Sequence, residues 1–222
     1  MRYSYIVFLF IVIGVQSQNI KTNYLEQNND SITSLTDQRL LAFTFNFQNT
    51  GITESSALGK ASNGKLGFNL GLQFFVYKQF FIGGFTGTSY LDITDTALVG
   101  NYSKSTVTHS YLSVGYEYPI DTNFSVSLSF MPIGNARYKN VITGTSSAKQ
   151  IDRATITMYN ASCSYKVSKS MALFLDYSYR IDNTRITAPL NLQNDFNNHN
   201  IGLGIRIYAG RKDLVEKISS NF

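Results

Sequence analysis

The sequence has few of the residues from which several common kinds of site are built. Its 222 residues include no Trp, one Cys and three Pro. A single Cys excludes an intramolecular disulfide framework and any zinc site made of four cysteines. Three Pro exclude a collagen-like chain. Charged residues are also scarce, at 15% of the chain, against about a quarter in soluble domains.

The charges that are present do not indicate a nucleic-acid partner. The formal net charge is +5, but the longest basic run is the pair Arg211-Lys212. Aromatic residues make up 14% and hydrophobic residues 43% of the chain, which argues against disorder because disordered chains have few aromatics. We therefore expect one folded domain with short appendages and no nucleic acid among its partners.

The N-terminal residues have the pattern of an export signal. Arg2 is followed by an apolar run from Tyr5 to Val15, and Ser17 precedes the expected cleavage point before Gln18. The run is shorter than the ~20 residues that a membrane-spanning helix needs. The sequence predicts a cleaved signal peptide at 1–17, then a polar periplasmic segment at 18–38.

After this segment, hydrophobic residues recur with a period of two. From Leu41 to Phe47 they occupy alternate positions, and successive side chains of a strand point to opposite faces. The same alternation predicts seven further strands, which begin near Lys65, Phe80, Val107, Phe124, Ala154, Met171 and His199.

The links between the predicted strands alternate between long and short. The long links are Thr50–Gly64, Leu91–Thr106, Pro132–Arg153 and Asp182–Asn198, and the short ones are Tyr77–Gln79, Pro119–Asn123 and Ser168–Ser170. An all-β, eight-stranded, antiparallel up-and-down transmembrane barrel has this asymmetry, with long loops at one end and tight turns at the other. We place this barrel at residues 39–209.

The charged residues within the predicted strands share one face. Glu117, Lys166, Asp176, Arg180 and Arg206 all fall on the face that carries small polar residues. Lipid cannot solvate such charges, whereas a closed lumen can pair them. We predict that these five side chains form a structural ionic network in the lumen. Since side chains fill the interior of an eight-stranded barrel, we do not expect an open channel.

Aromatic residues collect near the predicted strand ends, as in the two girdles of a membrane barrel. Near the short turns these are Phe74, Phe75, Tyr77, Phe80, Phe81, Tyr116, Tyr118, Phe124 and Tyr165, and toward the long links they are Phe47, Tyr90, Tyr111, Phe130, Tyr159 and Tyr179.

The pattern from Arg39 to Tyr208 resembles the small outer-membrane β-barrel proteins of Gram-negative bacteria, typified by eight-stranded OmpX-like and OmpA-like barrels. The resemblance rests on Gly-rich strands such as Phe81–Phe85 and on the last strand, Ile201–Tyr208. That strand looks like an insertion signal, so the resemblance implies the barrel-assembly machinery as a partner. Such signals usually end a chain, whereas here a tail at 210–222 follows, with Leu214, Val215 and Ile218 at the spacing of a short periplasmic helix.

Catalytic, metal-binding and cofactor-binding residues are not predicted. His109 and His199 are expected at the long-loop end as solvated residues of the rim, and nothing in the sequence brings His199 near Ser110, as a nucleophile and base would require. Two His without a nearby acidic or Cys cluster are a weak metal signal. The single Cys163 is expected to be a small buried or lipid-facing residue.

We predict a monomeric, non-enzymatic outer-membrane protein with a structural or recognition role. Its partners would be outer-membrane lipid and an unidentified extracellular ligand, because loops on a rigid scaffold usually carry recognition. Three alternatives remain at this point: a narrow pore or small-solute transporter, an outer-leaflet lipid-modifying enzyme, and a soluble lipocalin-like carrier.

Overall fold

A computed structural model describes residues 39–52, 56–145, 149–184 and 195–219. The predicted signal peptide (1–17) and the polar segment 18–38 lie outside the described residues. The described chain forms eight long strands. They run Leu41–Ile52 (β1), Ser62–Tyr77 (β2), Phe80–Ile93 (β3), Tyr102–Pro119 (β4), Phe124–Ile142 (β5), Lys149–Ser168 (β6), Met171–Thr184 (β7) and Asp195–Ala209 (β8).

The strands form one closed barrel in chain order. Each strand pairs antiparallel with the next, and β1 pairs with β8 to complete the ring. Thr44, for example, lies opposite Gly71 on β2 and opposite Arg206 on β8. Closure leaves no unpaired sheet edge. The predicted eight-stranded up-and-down barrel is confirmed.

The two faces of the wall point as the alternation predicts. Leu112, Leu128 and Leu203 are 58%, 63% and 64% exposed on the outside, whereas Asp176 and Arg206 are buried inside. An apolar outer band and a polar interior are typical of a barrel in lipid. A lipocalin-like carrier has the opposite arrangement, with its apolar face around a ligand.

The three short connections are as tight as predicted, but the prediction of the four long links is wrong, because they are shorter than predicted. The strands continue into all four of them, so that the links shrink to 53–61, 94–101, 143–148 and 185–194. The largest error is Pro132–Arg153, because β5 passes through Pro132. A register shift between Met131 and Gly134 places this proline at a bulge, where the missing N–H is tolerated.

Short helices flank the strands. They are Ala57–Ala61 (α1), Thr96–Val99 (α2) and Leu214–Ser219 (α3). Ser56 caps α1 by accepting a 3.0 Å hydrogen bond from the N–H of Gly59. The tail is therefore helical where its apolar spacing predicted a helix. No helix in the described ranges is long and apolar enough to cross a membrane.

The lumen contains apolar side chains as well as polar ones. Near the short turns Phe75 and Phe81 pack with Tyr208, and a larger cluster lies toward the long links. That cluster contains Leu91, Val107, Tyr111, Met131, Ala136, Tyr138, Ala154, Ile156, Met158 and Phe196. The prediction that Phe75, Phe81 and Tyr111 belong to the outer girdles is wrong. In Phe74-Phe75 and Phe80-Phe81 adjacent rings point to opposite faces, so only one of each pair points outward.

Candidate functional site in the lumen

A charged cluster lies inside the barrel near the short turns. We call it the Glu117 cluster; it comprises Arg39, Glu117, Ser125, Arg206 and Tyr208. Arg39 and Arg206 each donate to a different carboxylate oxygen of Glu117 at 3.0 Å, and the Ser125 hydroxyl donates to Oε1 at 3.0 Å. The Arg39 guanidinium also lies 3.4 Å from the centre of the Tyr208 ring.

Glu117 is the hub of this cluster. Its carboxylate bridges β8 to the segment that precedes β1, so it joins elements that are distant in the chain. All three charged side chains are buried. Removal of one member of a buried ion pair leaves an uncompensated charge and typically costs about 3–5 kcal/mol.

A second charged cluster lies farther along the lumen, toward the long links. We call it the Arg180 cluster; it comprises His109, Tyr138, Arg180 and Asp182. The Arg180 guanidinium forms a two-point contact with the Asp182 carboxylate, in which Nε donates to Oδ1 at 2.6 Å. The Tyr138 hydroxyl donates to the same carboxylate. Asp182 is completely buried, so its charge depends on these partners.

His109 extends the Arg180 cluster across the barrel. Its Nδ1 accepts from Arg180 at 3.2 Å, and its Nε2 lies 2.6 Å from Oδ1 of Asn69. Because a guanidinium can only donate, this arrangement requires neutral His109 with its proton on Nε2. Asn69 in turn donates to Gln48 at 2.6 Å, and Gln48 donates to Ser89 at 3.1 Å. From Tyr138 to Ser89, hydrogen bonds thus link six strands, β1 to β5 and β7.

Asp176 lies between the two clusters and is held by amides. It accepts hydrogen bonds from Asn46 at 2.9 Å and from Asn160 at 3.2 Å. Gly202 leaves space for the hydrogen bond between Asn46 and Asp176, because a Cβ added at this position would lie 2.2 Å from Oδ1 of Asp176. Arg206 makes its ion pair with Glu117 instead.

A small cavity lined by both polar and apolar side chains occupies the middle of the lumen. Its volume is about 40 Å³, which is room for a few water molecules. Asp176 and Arg206 line it, as do Asn46, Asn69 and Gln73. Such a cavity can hold water but not a solute of the size of a sugar or an amino acid.

The five residues singled out from sequence therefore have different surroundings. Glu117 and Arg206 are paired, Arg180 belongs to the second cluster, and Asp176 lies between them with amide partners. Lys166 is half-buried on β6 opposite Ala172.

Sequence reasoning missed six contributors to these clusters. They are Arg39, Ser125 and Tyr208 in the Glu117 cluster and His109, Tyr138 and Asp182 in the Arg180 cluster. Asp182 could have been found, because it continues the inward alternation of Asp176, Ser178 and Arg180. The predicted end of that strand at Ile181 excluded it.

The histidines and Ser110 are not assembled into a reactive site. His109 is buried in the lumen, so the expectation of a solvated rim residue is wrong, whereas His199 lies exposed on the outer face. Side chains alternate along a strand, so His109 occupies an inward-facing position of β4 and Ser110 an outward-facing one.

Neither a metal site nor a disulfide is formed by the described residues. No group of three or more His, Cys, Asp or Glu among them could hold a metal ion. Cys163 is a free, half-buried thiol opposite Val126 and Leu175.

Comparisons with known proteins agree with this architecture. No family model matches the chain, and no curated protein matches it. Among solved structures, Neisserial surface protein A has a TM-score of 0.54 at 8% identity, over 75% of this chain and 96% of that one. The outer membrane protein OprG from Pseudomonas aeruginosa has a TM-score of 0.52 at 9% identity, over 78% and 96% of the two chains. The chain therefore has the fold of the small eight-stranded outer-membrane barrels, which its strand pattern resembles.

Proposed function

We propose that this protein is a monomeric, non-enzymatic outer-membrane barrel that conducts no solute and acts through the surface at its long-link end. The observation that carries the proposal is the pair of charged clusters in the lumen. The Glu117 cluster and the Arg180 cluster lie on either side of a cavity of about 40 Å³. Together with the buried apolar side chains of the described lumen, they brace the wall from inside, and this filling supports a barrel that conducts no solute.

The outer face supports placement in a membrane. Large apolar side chains are exposed all around the barrel, including Phe43, Leu70, Leu173 and Ile207. In water such a surface would drive aggregation, whereas in lipid it is favourable. Insertion would follow export by the predicted signal peptide and delivery to the barrel-assembly machinery.

The surroundings of the two histidines support a non-enzymatic role. The ring nitrogens of His109 contact Arg180 and Asn69, so neither is directed at Ser110. His199 lies outside the wall, with its Nδ1 2.7 Å from the Tyr177 hydroxyl. A nucleophile needs a base within hydrogen-bond reach, and this arrangement does not provide one.

Fractionation tests the membrane assignment. We expect the full chain in the outer-membrane fraction, resistant to extraction by salt and extracted by detergent. Unboiled protein should migrate differently from boiled protein on a gel, because a closed barrel resists unfolding by detergent. Recovery in the soluble fraction without detergent would overturn the assignment.

Planar-bilayer recording separates the closed barrel from the narrow pore. We expect the native protein to add no conductance above the background of the bilayer. A variant in which Arg39, Glu117 and Arg206 are all replaced by Ser removes both ion pairs of the Glu117 cluster, while Asp176 keeps its amide partners Asn46 and Asn160. Discrete conductance steps from the native protein would establish the pore, and steps from the triple variant alone would show that this cluster blocks the lumen.

A further inference from the structure

Four cationic side chains lie together on the outer face of the barrel near the long links. Arg137 and Lys139 on β5, with Lys149 and Arg153 on β6, are all exposed. We call these four residues the basic wall patch. They belong to the parts of β5 and β6 that extend beyond the predicted strands.

The register brings like charges into contact distance. Arg137 lies directly opposite Arg153 on the neighbouring strand, and Lys139 follows two residues later on the same face. Directly opposed side chains in an antiparallel pair have Cβ atoms about 4.5–5.5 Å apart, and like charges at such positions are destabilising. The arrangement therefore costs stability unless an external anion compensates it.

Strands β4, β5 and β6 supply no compensating acid on their outer face. Within β4, β5 and β6, which are fully described, the acidic residues are Glu117 and Asp152. Glu117 is in the lumen, and Asp152 lies opposite the inward-facing Tyr138 and accepts from Asn140 at 2.7 Å. The ion pairs among the described residues include none of the patch cations.

The height of the patch favours one kind of anion. On β5 the outward apolar band reaches Ile133, which is 63% exposed, and Arg137, directly opposite Arg153, lies four residues farther along. At about 3.3 Å per residue and a strand tilt of about 40°, Arg137 stands roughly 10 Å beyond this last apolar side chain. The headgroup layer of a bilayer is only about 5–8 Å thick on each side. Phospholipid phosphates are therefore below the patch.

The patch also has a shape that suits a chain molecule. Its charges are spread over two adjacent strands in a flat array, about 5 Å apart across the strands and about 7 Å apart along them. Ile151, half-exposed between Lys149 and Arg153 and opposite Lys139, offers an apolar contact for the C–H face of a sugar ring.

We propose that the basic wall patch binds an acidic polysaccharide, a linear glycan with carboxylate or phosphate groups, laid across β5 and β6. This proposal rests on the proposed function, because it requires the long-link end to face the cell exterior. It names the class of partner that the surface would recognise.

The test uses the full-chain protein in nanodiscs of zwitterionic phosphatidylcholine. The probes are polygalacturonate, which carries a carboxylate on each sugar, and uncharged dextran. We expect polygalacturonate to bind with an affinity that falls as salt is raised, and dextran not to bind. The double variant Arg137→Gln/Arg153→Gln should weaken binding by about tenfold or more. Lys169→Gln, at an exposed cation in a turn at the opposite end, should change nothing.

Folding of the double variant is checked by heat-modifiability, and its thermal midpoint should not fall because a repulsive pair is removed. If it does not fold, Lys139→Gln/Lys149→Gln provides the same comparison. Equal affinity of the native and patch variants, or no binding by the native protein, would overturn the proposal. Loss of phosphatidylglycerol retention in mixed nanodiscs without any polygalacturonate binding would assign the patch to lipid and overturn it as well. Failure here with correct outer-membrane fractionation leaves the proposed function intact.

Discussion

The inner and outer faces of the barrel wall carry the same residue types under different constraints. Arg180, inside, is buried and bonded to Asp182 and His109, whereas Arg153, outside, is exposed with no ion pair among the described residues. Gly204 and His109 point inward, and Gly84 and His199 point outward. Within each pair (Arg180 and Arg153, Gly204 and Gly84, His109 and His199) the residue type is the same, and only the face of the wall differs.

This difference shows where the specificity of the fold resides. The outer face needs only to be apolar where it contacts lipid, and one apolar side chain can replace another there. The inner face must fit defined neighbours in an enclosed space, where unpaired polar groups and steric overlap are costly. Matched substitutions at the same residue type on the two faces therefore measure the contribution of enclosure directly.

The largest expected effect is at the arginine pair. Arg180→Ala should lower the free energy of unfolding by about 3–5 kcal/mol, because it leaves the buried Asp182 charge without its cation. Arg153→Ala on the outer face should change it by no more than about 0.5 kcal/mol. Urea unfolding in lipid vesicles, followed by circular dichroism and gel mobility because the chain has no Trp, measures both.

A double substitution separates charge from packing at this site. Arg180→Met combined with Asp182→Leu should recover only part of the stability lost in Arg180→Ala. It removes the unpaired charge, but it leaves the buried Tyr138 hydroxyl and His109 Nδ1 without their partners. Equal losses for Arg180→Ala and Arg153→Ala would contradict the contrast between the faces.

The fold could be predicted from sequence wherever the outer face of the wall is apolar, as a face in contact with lipid must be. From Leu41 to Phe47 an apolar outer face alternates with a polar inner one, and the period is evident. In Arg137–Asn140 the outer face meets water and both faces are polar or mixed, so the period fades. Pro132 then reads as the end of a strand, although the bulge between Met131 and Gly134 accommodates it. The sequence therefore predicts strands that are shorter than those in the structure.

The lumen site could be predicted only as a set of residues on one face. Periodicity placed Glu117 and Arg206 inside, but their pairing depends on closure of β1 onto β8 and on the relative stagger of distant strands. Arg39 lay outside the alternating segment altogether. Tyr138 and Phe196 were missed because they belong to strand extensions, where the inner face becomes apolar while the outer face becomes polar.

An intermediate effect is expected at the glycine pair. A Cβ at Gly204 would lie 2.3 Å from the backbone oxygen of Phe45, so the strands must shift, whereas at Gly84 the nearest atom is a Leu112 methyl at 3.8 Å. We expect Gly204→Ala to cost about 2–3 kcal/mol and Gly84→Ala to be neutral within about 0.5 kcal/mol. The same urea titration reports both, and a neutral Gly204→Ala would show that the strands yield more easily than the geometry implies.

The smallest expected effect is at the histidine pair. His109→Ala removes a partner from both Arg180 and Asn69 and should cost about 1–2 kcal/mol, less than Arg180→Ala because the Arg180–Asp182 ion pair remains. His199→Ala loses the hydrogen bond between the His199 ring and the Tyr177 hydroxyl. Because both groups lie on the exposed outer face, this loss should cost no more than about 0.5 kcal/mol. A double-mutant cycle between His109→Ala and Arg180→Ala should show coupling, since the two side chains share a hydrogen bond. Strict additivity in that cycle, or a larger loss at His199 than at His109, would show that the lumen hydrogen bonds do not act as one connected system.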